Sequence, residues 1–189
     1  MSFVKKRLRP RLLAVYALAG VALWLSRPTP ASIALGALPI AAGEALRLWA
    51  TGYLHKNDSL TTTGPYAYLR HPLYFGTLLI GLGFLIMAWS WVALALALVF
   101  GAAYFGYYMP YKDRIESARL ESLYGDAYRR YFAAVPRLIP RLHAYRPLES
   151  ERPKETAWRG VRFADNNETG TAAAVAVGVL CMVARWGLS

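Results

Sequence analysis

One short loop carries an unusual density of side chains able to do chemistry. The stretch Gly64-Pro65-Tyr66-Ala67-Tyr68-Leu69-Arg70-His71-Pro72-Leu73-Tyr74-Phe75-Gly76 sets a guanidinium, an imidazole and three phenols within thirteen residues. Arg70 can grip a carboxylate, because its planar fork makes two parallel hydrogen bonds. The aromatic faces suit a cation such as a sulfonium. The same residues also suit an anchor at a membrane boundary, where Tyr and Arg are common. His71 has no second histidine or carboxylate at metal-ligand spacing, so no metal is expected. The single cysteine, Cys181, excludes an internal disulfide and any cysteine-clustered metal site.

Three further groups stand out. Glu44 and Arg47 lie inside an apolar run, where an ionisable residue is costly and suggests function. Their i, i+3 spacing puts both on one helix face, where they can pair. They are candidates for the substrate side of a site, or a self-satisfying ion pair. Gly81 and Gly83 allow a backbone or ligand to come close, although small residues also serve membrane helix contacts. Downstream, Arg114-Ile115-Glu116 precedes Glu121, Tyr124-Gly125-Asp126-Ala127-Tyr128 and finally Arg137-Leu138-Ile139-Pro140. Glu121, Arg129 and Arg130 read as a solvated helix face, whereas Glu116 lies nearer the membrane.

The elements that must position these residues are membrane helices. Of 189 residues, 56% are hydrophobic and 17% charged, against roughly 45–50% and about 25% in a soluble domain. Mean hydropathy is +0.26. A spanning helix needs about 20 apolar residues, and about five candidates appear. They run from Leu12 to Leu25, Ala31 to Leu54, Leu73 to Ala88, Val92 to Met109 and Thr171 to Trp186. Arg27-Pro28-Thr29-Pro30 makes the first turn, since proline breaks helices. Trp89-Ser90-Trp91 makes another, at an interface that suits tryptophan. Pro110 is expected to close the fourth span. Residues 111–133 are expected to form a cytoplasmic surface helix, with Gly125 as a break. The expectation is one all-α, polytopic membrane domain over 1–189, with a helical segment between the fourth and fifth spans. The opening MSFVKKRLRPRLLAVYALAGVALWL reads as a first spanning helix rather than a cleaved signal.

Charge sets the orientation. The net charge is +11, from 22 Lys and Arg against 11 Asp and Glu. Nucleic-acid binding is one reading of such a balance, but repeated apolar spans argue against it. With the N-terminus in the cytoplasm, that side holds Lys5, Lys6, Arg7, Arg9, Arg11, Lys56, Arg70 and all twelve Lys and Arg of 111–169. The opposite face holds only Arg27 and Arg185. The positive-inside rule favours this arrangement.

Taken together, GPYAYLRHPLYFG, the glycine pair in the next helix, and E-x3-L-x3-Y-G-x2-Y-x2-Y ending in R-x-I-P resemble the isoprenylcysteine carboxyl methyltransferase and phospholipid methyltransferase superfamily. The resemblance covers about residues 40–141. It implies a cytoplasm-facing pocket for S-adenosylmethionine and a lipophilic methyl acceptor drawn from the lipid bilayer. By matching positions it implies that Tyr68, Arg70, His71, Pro72, Tyr74, Gly81, Gly83 and Glu116 line the cofactor site. It implies catalytic roles for Glu116 and for Arg137, the arginine near the reacting carboxylate. Many members carry two adjacent acids where this chain has Glu116-Ser117, so a role for the second acid does not carry over. The segment 147–189 lies beyond the motifs and is expected to add a structural helix. A sterol-reductase-like enzyme using NADPH and a non-enzymatic membrane protein are the competing classes.

Overall fold

In the computed structural model, residues 19–54, 59–152, 157–166 and 168–188 are described. Of the described residues 76% are helical, and there is no strand among them. Most of the expected first span, and its Lys and Arg, lie outside them. Residues 19–24 form the helical end of that span.

The first complete helix, α1, is Pro30–Tyr53. Thr29 caps it, its side chain accepting from the Ser32 amide while the Ser32 hydroxyl accepts from the Thr29 amide. Proline at the first position needs no hydrogen-bond partner there. The next helix, α2, is Pro72–Ala88 and runs antiparallel against α1. The seam between them is made of glycine. A Cβ on Gly36 would come 2.5 Å from the Gly83 carbonyl oxygen, and one on Gly83 would come 2.5 Å from that of Gly36. Gly43 and Gly76 repeat the arrangement two turns away, at 2.6 and 2.9 Å. Lipid tails are as apolar as leucine, so close backbone approach is what holds two such helices together. Ser32 Oγ donating to the Met87 carbonyl at 3.1 Å and the Arg27 amide donating to Ala88 at 2.8 Å close the far end of the seam.

After the Trp89–Ser90 turn, α3 covers Trp91–Ala103. A wider π turn, Tyr104–Tyr108, leads directly into α4, Met109–Ala134. The helix therefore does not stop at Pro110. Proline lacks an N–H and crowds the preceding turn, and the π turn just ahead accommodates it. Gly125 does interrupt α4, with φ 52° and ψ −125°, a conformation open to glycine. Near the C-terminus follow the short helix α5, Val161–Asp165, and α6, Glu168–Gly187.

Three helical stretches are long and apolar enough to cross a membrane: Pro30–Tyr53, Trp91–Ala134 as one continuous helix, and Glu168–Gly187. The apolar α2 has 17 residues and is about 25 Å long. A buried cluster of Ile40, Met87, Ala88, Ala93 and Met182 joins α1, α2, α3 and α6. A second cluster, Tyr128, Tyr131 and Val135, sits under the loop between α1 and α2.

Candidate active site

The loop before α2 and the segment after α4 are zipped together along their backbones. The Arg70 amide donates to Pro136 O at 2.9 Å and the His71 amide to Arg137 O at 3.2 Å. In return, the Arg141 amide donates to Tyr68 O at 3.0 Å and the Tyr145 amide to Ala67 O at 2.8 Å. From below, the Tyr131 hydroxyl donates to Tyr66 O at 2.8 Å. Two motifs some 65 residues apart in sequence thus become one surface.

Their side chains meet at an acid that the sequence reading did not single out. Asp113, on the first turns of α4, accepts from or shares a proton with His71 Nε2 at 2.8 Å. Its carboxylate also lies 3.7 Å from Arg70 Nη1 and 3.7 Å from Arg137 Nε. The four side chains are 10%, 11%, 15% and 30% exposed for Arg70, His71, Asp113 and Arg137. One carboxylate therefore faces two guanidinium groups and an imidazole. Arg70 Nε and Nη1 and Arg137 Nε are buried without a hydrogen-bond partner. Buried donors are normally satisfied, so these point to an anion as their missing partner. Arg70 also stacks over Phe132, 3.8 Å from the ring centroid. The His71 and Tyr74 rings stack at 5.1 Å.

Glu116 lies one turn after Asp113, on the same face of α4. It borders a hollow of about 260 Å³ with Arg70, Arg119, Tyr66, Tyr124 and Tyr131. Arg70 is common to the hollow and to the cluster at Asp113. Burial pushes the Tyr66 phenol well above its ordinary range, so it stays neutral. Ser117 Oγ, where relatives by resemblance carry a second acid, instead bonds the Tyr128 hydroxyl at 2.7 Å.

The remaining candidates have neighbours of their own. The Tyr68 ring sits 6.4 Å from Trp49. Pro72 is buried as the first residue of α2. Gly83 belongs to the glycine seam. Gly81 borders a separate apolar hollow of about 430 Å³ with Phe84, Phe100 and Met182. These glycines are ten and twelve residues beyond His71, or about 15 and 18 Å along the helix. The self-satisfying Glu44–Arg47 ion pair, one of the two readings of that spacing, is not formed by hydrogen bonds. Arg47 instead makes a two-pronged bond to Glu168, with Nη2 2.6 Å from Oε2 and 2.8 Å from Oε1. Glu44 Oε1 is left buried without a hydrogen bond. Glu168 approaches the guanidinium side-on from α6 and takes both Nε and Nη2, while Nη1 is taken by Leu73 O and Thr77 Oγ1, so no arm is left for Glu44. Among the described residues no group of three or more His, Cys, Asp or Glu could hold a metal ion.

Comparison with known proteins gives this arrangement a family. The chain is 35% identical over 127 residues to the cobalt-zinc-cadmium resistance protein CzcN of Cupriavidus metallidurans, covering 65% of this chain and 54% of that one. It is 31% identical over 101 residues to the protein-S-isoprenylcysteine O-methyltransferase of Schizosaccharomyces pombe, covering 53% of this chain and 41% of that one. The chain thus spans about half the length of these relatives. No solved structure matches it. The phospholipid methyltransferase family profile matches residues 31–127, which is just over half of the chain, and the protein belongs to that family.

Proposed function

We propose that the protein is an S-adenosylmethionine-dependent methyltransferase of the membrane, acting on a lipophilic acceptor at its cytoplasmic face. The observation that carries this reading is the surplus of cations at Asp113, with buried guanidinium donors lacking a partner. S-adenosylmethionine carries a carboxylate that such donors fit, and a sulfonium that suits the aromatic rings beside them. The resemblance of the motifs and the names of the family and of the yeast relative support the same reaction class.

When bound, the cofactor supplies a methyl group on an electrophilic sulfonium. Methyl transfer is an in-line displacement, so the protein's part is mainly alignment, which can supply roughly 7–11 kcal/mol. Arg70, His71 and Glu116 would hold the donor. Arg137, the most exposed of the clustered cations, would hold a carboxylate acceptor, which needs no base. A carboxylate on a prenylated cysteine is the acceptor class this favours, as in the name of the yeast relative. A phospholipid amine is the second reading, favoured by the family's name. There Glu116, at the edge of the hollow, would take the proton that the amine loses.

Calorimetry in detergent tests the reading. Wild-type protein should bind S-adenosylmethionine, and His71→Ala or Glu116→Ala should abolish binding in protein that still purifies folded. Arg137→Ala should lose turnover more than cofactor affinity. Binding that survives both of the first two substitutions would remove the site. Mass spectrometry of lipids and apolar compounds that gain a methyl group on incubation would then name the acceptor.

A further inference from the structure

Arg47 was a candidate for contact with substrate, but the structure turns it toward a different task. Its guanidinium is 10% exposed and every arm is engaged. Nε donates to Glu168 Oε2 at 3.0 Å and Nη2 completes the fork to the same carboxylate. Nη1 points the other way. It donates to the Leu73 carbonyl at 3.1 Å and to Thr77 Oγ1 at 2.7 Å, and Thr77 Oγ1 donates in turn to that same carbonyl at 3.0 Å. Leu73 is the second residue of α2, immediately after His71-Pro72. The aliphatic part of Arg47 lies over Gly76, where a Cβ would come 2.6 Å from Arg47 Cγ.

The C-terminal segment is built around the same spot. The last carbonyls of a helix have no partner within it. In α1 they are met by residues of the tail: the Arg159 amide donates to Gly52 O at 3.0 Å, Arg162 Nη1 to Gly52 O at 2.9 Å and Asn166 Nδ2 to Thr51 O at 3.4 Å, while Trp158 Nε1 donates one turn earlier to Leu48 O at 3.2 Å. Trp158 fills the notch left by Gly52, where any Cβ would collide with its ring. Glu168 then opens α6 at the helix end where a negative charge is favoured.

We infer that Arg47 and Glu168 are positioning residues for the Arg70-His71-Pro72 turn, and that the C-terminal helix is thereby part of the active unit. Glu168 aims the guanidinium. The guanidinium fixes the first turn of α2, and that turn sets where His71 meets Asp113. An anchor alone would need only the ion pair. The two bonds from Nη1 to the start of α2 are what an anchor does not require. This inference rests on the methyltransferase reading for its effect on cofactor affinity, but not for its effect on the turn itself.

The experiment uses the full chain in detergent and three variants: Glu168→Gln, Thr77→Val and the exchanged pair Arg47→Glu with Glu168→Arg. Two quantities are read, the Kd for S-adenosylmethionine and the deuterium exchange of the Arg70 and His71 amides, which needs no ligand. Glu168→Gln should raise Kd about tenfold and Thr77→Val about threefold, both with faster exchange at those two amides. The exchanged pair restores the opposite charges but takes the arginine away from Leu73, so it should recover thermal stability without recovering Kd or protection. Should Glu168→Gln or the exchanged pair fail to fold, Thr77→Val, which leaves the ion pair intact, decides the matter. Unchanged exchange in Thr77→Val, or full recovery of protection in the exchanged pair, overturns the inference. A wild-type protein that does not bind S-adenosylmethionine overturns the proposed function instead, and the exchange measurement still stands.

Discussion

At Asp113 one carboxylate lies between two guanidinium groups that would otherwise repel one another in a poorly solvated place, and it also meets the His71 imidazole. Removing one partner from such a group leaves the others buried and uncompensated. Asp113→Asn keeps the size of the side chain and removes the charge. It should destabilise the protein by about 1–3 kcal/mol, or roughly 2–10 °C in Tm for a chain of this size. Turnover should fall as well, because Arg137 loses the contact that aims it. Thermal melts in detergent together with a methylation assay check this, and an unshifted melt would mean that the cations are held by something else. The basic half of the site was legible because RHP and R-x-I-P have recognisable spellings. The acid was not. Six acids lie between 113 and 151, and nothing in local sequence says which one turns inward. The π turn at Tyr104–Tyr108 lies between the apolar run and Asp113, and a wider turn shifts the register of the helix after it, which a regular helical projection does not anticipate. Glu116, three residues on, inherits the same face.

Among the elements, the glycines separate two uses of a small residue that look identical in sequence. Gly83→Ala would force a Cβ to within 2.5 Å of the Gly36 carbonyl, so α1 and α2 must part. A cost of about 1–3 kcal/mol is expected for overfilling of this kind. Gly81→Ala meets open space and gains about 1 kcal/mol of helix propensity. The first variant should melt earlier and the second should not, with cofactor affinity unchanged in both while they remain folded. A loss of affinity in Gly81→Ala at full stability would place that glycine in the cofactor site. Apolar runs made the helices themselves plain. The break at Gly125 was visible too, because a glycine amid a helical pattern is a natural place for positive φ. The passage of the helix through Pro110 was hidden, since a π turn has no sequence signature of its own. The bonding of Arg47 to Glu168, 121 positions away, was hidden for a different reason: a nearby partner, Glu44, satisfied the local rule.

For the molecule as a whole, charge and chemistry point to the same side of the membrane. The cluster at Asp113, the zipped segment 136–145 and the tail that caps α1 all lie at the end of the bundle where α1 stops and α2 starts. That end carries nearly all the Lys and Arg between the helices, and the water-soluble donor of the proposed reaction would have to reach it from an aqueous compartment. The opposite end is marked by Trp89 and Trp91, 64% and 85% exposed, which suit the lipid–water boundary. If positive charge orients the chain, the site faces the cytoplasm. A cysteine-labelling experiment measures this directly. In a Cys181→Ser background, Trp91→Cys and Ser150→Cys place one thiol at each end. A membrane-impermeant maleimide added to right-side-out vesicles should label position 91 and spare position 150, and inverted vesicles should give the reverse. Labelling of position 150 from outside would turn the bundle over. The cofactor would then face a compartment without it, and the reaction assigned to the site would fail with the topology.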